Sequence, residues 1–312
     1  MSLRLSSKHI KAEAQALGFF ACGLVKAEPV SKECATTFNS WLTVKGYADM
    51  EYMNRNVEKR FDPELLMPGV KCIVSVALNY APARRLQEGQ YQFASYALGL
   101  DYHDIVKSRL HTLASRLGIT EYHAFCDTAP VLERYWAMQA GLGWIGRNHQ
   151  LIIPHAGSMF FLGELFICTE PDVYDSPVKS RCGTCHACLN ACPTGAISKD
   201  EPFNSSKCLS YLTIENRGDI PTEAAKKMGN CIYGCDRCQD SCPWNRFVTP
   251  TNDPQLTPKP ELLEMTSADW QQLSVERYRQ LFKGSAVKRA KYEGLIRNIH
   301  AVASATDDSS NN

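Results

Sequence analysis

The chain has 312 residues, of which 44% are hydrophobic and 21% charged, so it can bury a sizeable core and is expected to form two or more domains. Its 34 Lys and Arg residues nearly balance 33 Asp and Glu residues, which gives no whole-chain argument for a nucleic-acid or membrane partner. No apolar run reaches transmembrane length, and the start lacks the apolar core of a signal peptide. A protein of the reducing cytoplasm is therefore expected.

Helices and strands are predicted to alternate over the first 126 residues. Apolar periodicity predicts helices at 6–17, 41–59 and 96–117, and strands at 19–25, 72–78 and 121–126. In the longest helix, the residues expected to face the core are Leu100, Ile105, Leu110, Leu113 and Leu117. Alternation of this kind predicts an α/β domain.

Two glycine-rich stretches follow, after a short helix predicted within residues 127–134. Residues 141–148, G-L-G-W-I-G-R-N, hold three glycines in six residues, and glycines let a ligand approach the backbone closely. They follow a helix rather than a strand, which argues against a dinucleotide fold, and we expect a glycine-lined cavity for a large flat cofactor. Residues 157–167 are predicted to form a strand that can also be approached closely.

Nine of the 14 cysteines lie between Cys182 and Cys242. The run Cys182–Cys192 has the spacing C-x2-C-x2-C-x3-C-P, and Cys235–Cys242 repeats most of it. In bacterial ferredoxins three close cysteines of such a run ligate one 4Fe–4S cluster and the fourth ligates another, so two clusters are expected. Zinc is the main alternative, because paired C-x2-C units also form tetrahedral sites, and structural disulfides are a second. The remaining cysteines are expected to be buried thiols, and they are Cys22, Cys34, Cys72, Cys126 and Cys168.

The C-terminal part is predicted to be helical and locally basic. Prolines mark a linker at 250–260, residues 262–303 show helical periodicity, and a polar tail from Thr306 is predicted to be disordered. Residues 283–297 carry five basic residues against one acidic residue. Such a face either binds phosphates or is merely solvated.

Several motifs together resemble the epoxyqueuosine reductases, a family of cobalamin-dependent iron–sulfur enzymes of tRNA modification. The motifs are D-T-A-P-V-L-E-R at 127–134, the stretch 141–148, G-S at 157–158 with L-G-E at 162–164, the Cys182 run, C-L-S-Y-L-T-I-E at 208–215 and C-D-R-C-Q-D-S-C-P-W-N at 235–245. The resemblance spans roughly residues 50 to 300. It implies reduction of epoxyqueuosine to queuosine at the anticodon wobble position of tRNA, the last step of queuosine biosynthesis, with one cobalamin and two 4Fe–4S clusters.

The same resemblance implies three regions in a chain that is expected to be monomeric. Residues 1–175 would form an α/β (α+β) cobalamin-binding domain similar to nitroreductase-like folds. Residues 176–250 would form a ferredoxin-like domain with both clusters, and residues 251–312 short HEAT-like helices with a basic face and a disordered tail. An external one-electron donor of the ferredoxin or flavodoxin type would supply the electrons.

A division of the cysteines between the two clusters is also implied by the resemblance. Nine cysteines are available for eight positions, and Cys231 precedes Cys235 by four residues instead of the usual three. By the family pattern one cluster is held by Cys182, Cys185, Cys188 and Cys242, and the other by Cys192, Cys208, Cys235 and Cys238. The alternative makes Cys231 a ligand and Cys208 a buried thiol.

Asp127 is the candidate catalytic acid. Removing an epoxide oxygen needs electrons and a proton for the departing oxygen, and Asp127 follows a predicted strand and matches the family's proton donor. This role requires a pKa raised by burial, because an ordinary aspartate is ionised at neutral pH. The alternatives are that Asp127 caps a helix beginning near Pro130, or that Glu133 is the acid.

Further contacts are predicted from the resemblance. Cofactor contacts are expected at Arg60, Asp127, Gly157, Ser158, Gly163 and Ser210, and tRNA contacts at Arg217, Lys288, Arg289 and Lys291. Neither His103 nor His155 is assigned as a cobalt ligand, because no D-x-H-x-x-G motif is present. Two other functions stay open, a corrinoid reductive dehalogenase-like reductase of a small molecule and a ferredoxin-type electron carrier. The basic C-terminal segment argues against the first, and the long domain before the clusters against the second.

Overall fold

The computed structural model describes residues 5–310, with backbone only for 306–310. The helices are α1 (Ser7–Ala16), α2 (Lys32–Thr43), α3 (Val57–Phe61), α4 (Tyr102–Arg116), α5 (Glu133–Gln139), α6 (Ala187–Ala191), α7 (Leu209–Ile214), α8 (Thr222–Ala225), α9 (Arg237–Asp240), α10 (Pro260–Glu264), α11 (Ser267–Gln271), α12 (Val275–Leu281) and α13 (Lys291–Ser310). The strands are β1 (Ala21–Lys26), β2 (Cys72–Asn79), β3 (Gln92–Phe93), β4 (Tyr122–Phe125), β5 (Trp144–Ile145), β6 (Leu151–Ile152), β7 (Phe160–Ile167) and β8 (Cys231–Tyr233).

The main sheet has four strands in the order β1-β2-β7-β4, and every neighbouring pair is antiparallel. The domain is thus mixed α/β in content and antiparallel in strand pairing. The connections between paired strands are long, which gives the chain room to reverse direction. Alternation along the sequence therefore does not fix strand direction here.

Both faces of the sheet are covered, as the continuous apolar run of β2 predicted. Val74 and Val76 on one face pack in a cluster with residues of α1 and α4, such as Ile10 and Leu110. Side chains of opposite parity point to the other face, where Ile73 packs in a cluster with Val131 and Trp136. The sheet is thus a buried central layer.

A second core joins the cysteine-rich region to the C-terminal helices. It contains residues of α7, β8 and α10 to α13, together with residues 86–98, whose strand β3 pairs parallel with β8. At its centre the amide of Asn298, fully buried, donates to the carbonyl oxygens of Thr213 and Ile232 at 2.8 Å each. The C-terminal helices therefore do not have a core of their own.

Several predicted boundaries differ from the structure. The helix expected over 41–59 is interrupted, because Lys45, Ala48 and Asn56 adopt left-handed backbone conformations that a helix does not allow. Leu100 precedes α4, which is capped by Asp101, and is 37% exposed rather than in the core. In place of the disordered tail expected from Thr306, α13 continues to Ser310, while Asn311 and Asn312 lie outside the described residues.

Within residues 5–310, none of the helices has both the length and the apolar character that crossing a bilayer requires.

Candidate active site and cluster-binding cysteines

Asp127 lies directly after β4, where two helices position it. Its carboxylate oxygen Oδ2 accepts a hydrogen bond from the Tyr102 hydroxyl at 2.6 Å and lies 3.2 Å from His103 Nε2, both at the start of α4. Its backbone N–H donates to Glu133 Oε1 at 2.5 Å, at the start of α5. The residue at the cap of α5 is Leu132, so the alternative in which Asp127 caps a helix is wrong.

The expectation that burial raises the pKa of Asp127 is wrong in net effect. Burial does raise it, but the hydrogen bonds from His103 and Tyr102 outweigh burial and hold the pKa below its usual value. The Asp127 side chain is also 60% exposed, so water favours its charged form. At neutral pH Asp127 is a carboxylate, so a role as proton donor would require a neighbouring group that holds the proton.

His103 is that neighbour, and the sequence analysis did not find it. Burial lowers its pKa, but hydrogen bonds to Asp101, at 2.6 Å from Nδ1, and to Asp127 raise the pKa to about 9. His103 is therefore an imidazolium at neutral pH, held between two carboxylates. The signal in the sequence is the adjacency of Asp101 and His103 at a helix start, where an N-cap aspartate places its carboxylate beside the first turn.

Two further carboxyl groups belong to this site, the half-buried Glu133 beside Asp127 and the buried Glu164. Burial and the charge of Asp127 raise the pKa of Glu133 to about 8. Glu164 on β7 is fully buried, accepts a hydrogen bond from Ser75 at 3.2 Å, and has a pKa raised well above its usual value by burial and by Glu133. The site thus holds an ionised carboxylate at its surface above protonated carboxyl groups.

Polar groups lie near Asp127, and we call the region that they share with it the recess. Arg289 forms a bidentate ion pair with Glu215, at 2.8 Å from Nε and from Nη2, and lies over the ring of Tyr52. The ion pair is the main reason that the pKa of Arg289 is raised, and Asp127 adds to it, which places the two residues near each other. Arg60 is buried and donates to the Tyr52 carbonyl at 2.9 Å, while its Nε is buried without a partner. A buried unpaired donor is a group that a polar ligand would satisfy.

Three of the residues predicted to contact a cofactor pack closely against other parts of the chain. A Cβ at Gly157 would come within 2.2 Å of Asn245 Oδ1, and one at Gly163 within 2.5 Å of Val106. Ser158 is buried and donates from its backbone to Asn245 and from its hydroxyl to Gln239. The contacts of Gly157 and Ser158 join the sheet domain to the cysteine-rich region, and cofactor contact at Gly157, Ser158 and Gly163 stays a prediction. Ser210 lies in the first turn of α7, two residues after Cys208.

The stretch 141–148 also makes a close packing contact, and the glycine-lined cavity for a cofactor stays a prediction. A Cβ at Gly143 would come within 2.1 Å of the Ile152 carbonyl, so this glycine allows two chain segments to touch. Two residues at its end hold the cysteine loops. Arg147 donates to the Cys185 carbonyl at 3.2 Å, and the buried Asn148 donates to the Cys238 carbonyl at 3.2 Å.

The structure gathers the cluster-binding cysteines into two sets. One cavity is lined by Cys182, Cys185, Cys188 and Cys242. In the other set the pKa of Cys238 is raised by burial and then by Cys235, Cys208 and Cys192, with Cys192 the weakest of the three, so these thiols lie close together. Cys231 contributes to the raised pKa of Cys235, but it is not among the main groups that raise the pKa of Cys238.

All 14 cysteines are free thiols. Of the five expected to be buried, Cys72 and Cys126 are buried, while Cys22, Cys34 and Cys168 are half-buried. Among residues 5–305, no three His, Cys, Asp or Glu side chains are arranged to bind one metal ion.

Comparisons with known proteins agree with this geometry. A family model described as a 4Fe-4S double cluster binding domain matches residues 181–245, and one described as epoxyqueuosine reductase QueG, DUF1730, matches residues 60–128. An epoxyqueuosine reductase of Cellulophaga algicola is 43% identical, over 93% of this chain and 95% of the relative.

Solved structures of epoxyqueuosine reductases share the fold. One with an epoxyqueuosine-modified tRNA-Tyr stem loop has a TM-score of 0.86 and 28% identity, over 97% of this chain and 82% of the other. Another, from Bacillus subtilis, with its catalytic aspartate loop swung out of the active site, has a TM-score of 0.85 and 26% identity over the same shares. The mixed α/β fold and the iron–sulfur clusters are thereby confirmed.

A comparison of two cysteine variants tests the second ligand set. We expect Cys208→Ala to lose about half of the iron and sulfide taken up on anaerobic reconstitution, since each cluster needs four thiolates. Cys231→Ala is the matched control and is expected to keep the full content. Full iron content in Cys208→Ala together with loss in Cys231→Ala would reverse the assignment.

Proposed function

The chain belongs to the epoxyqueuosine reductase family, and from this we propose that it reduces epoxyqueuosine to queuosine at the anticodon wobble position of tRNA, with a proton held by His103 and Asp127. The observation that carries the proposal is the hydrogen-bonded group of Tyr102, His103 and Asp127 at the recess. Family membership decides against an electron carrier and against a dehalogenase. A monomer and a cytoplasmic location stay predictions.

The two cysteine sets are proposed to hold one 4Fe–4S cluster each. Eight cysteines in two groups supply the thiolates that two cubanes need. Cys188 and Cys192 lie at the two ends of the short helix α6, so one rigid element contributes to both sets. Electrons can then pass from one set to the other over a short path through the protein.

Cobalamin is proposed as the group that delivers electrons to the epoxide. One observation supports a corrin in the recess. The Nε of Arg60 is buried without a hydrogen-bond partner, and it could donate to a propionamide oxygen at the rim of the corrin. When bound, the reduced cofactor supplies a strong nucleophile and reductant. Arg60, Ser210 and Asp127 are the residues proposed to contact it.

The proposed reaction converts an epoxide, two electrons and two protons into an alkene and water. The chain's own part is to place protons at the departing oxygen. His103 holds one at Nε2, next to Asp127 Oδ2, and the Tyr102 hydroxyl donates a hydrogen bond to the same oxygen. Proton donation from a positioned acid is worth about 10²–10⁴-fold in rate. Asp127 is thus proposed to pass on a proton that His103 stores.

The basic C-terminal segment is proposed to bind the tRNA backbone next to this recess. Lys288 and Lys291 are exposed, and neither forms an ion pair with any of the described residues. Arg289 differs because Glu215 already pairs with it, and Arg217 donates to the Arg289 carbonyl at 3.0 Å. The two lysines are therefore the stronger candidates for phosphate contacts.

Replacing Asp127 with asparagine tests the proton transfer, because Asp127→Asn keeps the shape but cannot accept and pass on a proton in the same way. Both cofactors should load, while single turnover of epoxyqueuosine-tRNA by pre-reduced enzyme should fall about 10²–10⁴-fold. Asp104→Asn, at an exposed position in the first turn of α4, is the control and should react like the wild type. Wild-type turnover in Asp127→Asn would remove it from the mechanism and favour Glu133.

A pH profile tests the proton store. The folded-state pKa of His103 is about 9 against an ordinary 6.5, so its imidazolium stabilises the fold fully below pH 6.5 and this contribution is lost as the pH rises through about 9. Single-turnover rate and stability should both fall across that window. His103→Gln should show a smaller alkaline fall, because, of His103 and Glu133, only Glu133, with a pKa of about 8, then titrates in this window, whereas His111→Gln on the same helix should keep the full fall. An unchanged alkaline fall in His103→Gln would contradict the assignment.

A double substitution tests the tRNA surface. Lys288→Ala with Lys291→Ala should weaken tRNA binding and flatten its salt dependence, by a slope of about 0.7–0.9 for each phosphate that the protein no longer neutralises. Binding isotherms at several salt concentrations measure both effects. Lys8→Ala on α1 with Lys32→Ala on α2 removes the same charge elsewhere and should change neither. If the salt dependence of tRNA binding is the same in both double variants, Lys288 and Lys291 do not contact the tRNA and are only solvated.

A further inference from the structure

The first cysteine set reaches the protein surface. Cys185 is exposed, and it is the only one of the 14 cysteines that is. It lines an open cavity with Cys182, Cys188 and Cys242. Cys208 and Cys235 of the second set instead pack against the C-terminal hydrophobic core. A cluster on the first set is thus the one that a partner in solution can approach.

Three arginines surround this exposed edge. Arg147, Arg181 and Arg246 line the same cavity, and among the described residues no Asp or Glu lines it. Arg181 and Arg246 are exposed, while Arg147 is fixed by its hydrogen bond to the Cys185 carbonyl. We call these three residues around Cys185 the arginine face.

Aromatic side chains lie beside the arginines. Trp244 and Phe247 also line the cavity, with ring centroids 5.9 Å apart, and the Arg246 guanidinium lies 4.7 Å from the centre of the Phe247 ring. Arginines and aromatic rings are enriched at protein–protein interfaces. The arginine face therefore combines positive charge, an apolar centre and access to a redox group.

We propose that the arginine face is the docking surface for a small acidic electron-carrier protein of the ferredoxin or flavodoxin type. The inference rests on the proposed function, which needs an outside source of two electrons. In each encounter the reduced carrier is oxidised by one electron and the cluster on the first set is reduced by one. Two encounters supply one epoxide, and the electrons pass inward through the second set.

The positive charge of the arginine face favours an acidic carrier protein as the binding partner. An acidic carrier is steered to a positive patch, and such electron-transfer contacts are small and short-lived. RNA is also anionic, but phosphate binding has no use for a redox group at the centre of the contact. The basic lysines at 288 and 291 moreover belong to the segment whose Arg289 lies near Asp127. The tRNA is thus assigned to that segment and the carrier to the arginine face.

Charge reversal at the two exposed arginines tests the proposal. In Arg181→Glu with Arg246→Glu, the bimolecular rate at which reduced flavodoxin bleaches the cluster absorbance should fall at least about tenfold at low salt and lose its salt dependence. Reduction by dithionite, a small reductant that needs no docking, should be unchanged. Arg279→Glu with Arg277→Glu on α12 makes the same charge change outside the cavity and should leave the flavodoxin rate unaltered.

The outcomes separate this proposal from the proposed function. Cluster bleaching is followed without epoxyqueuosine-tRNA, so a failure of the enzymatic assignment would not alter the result. A flavodoxin rate equal to that of the wild type would overturn the docking surface. Loss of tRNA affinity with normal flavodoxin reduction would assign the face to RNA instead. If dithionite reduction is also lost, Arg181→Gln with Arg246→Gln replaces the pair, and an unchanged flavodoxin rate there overturns the proposal.

Discussion

Two cysteine-bearing segments that are distant in sequence can share clusters only if the rest of the chain holds them together, and the structure depends on this constraint. Arg147 and Asn148 bind the carbonyls of Cys185 and Cys238, one in each segment. The Ser158 backbone binds Asn245, just after the last cysteine. Motifs that resemble ligand-binding loops thus fix the cysteines that are proposed to bind the clusters. The sheet domain positions these cysteines and also carries Asp127.

The parts of the fold that sequence predicts well are those decided locally. Cysteine spacing, the buried strand β2 and the helix α4 each follow from residues close together in the chain. Strand direction and the close packing at the glycines depend on contacts between distant segments, and neither follows from the local sequence. The prediction that the pKa of Asp127 is raised was wrong because it, too, depends on distant residues. Tyr102 and His103, 25 and 24 residues away in the chain, lower this pKa through hydrogen bonds.

Environment divides the carboxyl groups of the recess into two kinds. Asp127 stays charged because it is exposed and receives hydrogen bonds, whereas burial raises the pKa values of Glu133 and Glu164. Arg289 lies close enough to Asp127 to feel its charge, and Glu215 neutralises that arginine. The charges of the surface proposed for tRNA and of the proposed proton site therefore influence each other.

Asp127 has a left-handed backbone conformation, with a φ of +58°, which must be stabilised by its surroundings. A non-glycine residue in this conformation costs roughly 1–3 kcal/mol, and hydrogen bonds to Tyr102, His103 and Glu133 hold it there. In the Bacillus subtilis reductase a catalytic aspartate loop is swung out of the active site. In this chain the three hydrogen bonds come from the starts of α4 and α5, so the position of the Asp127 carboxylate depends on how these two helices pack beside β4.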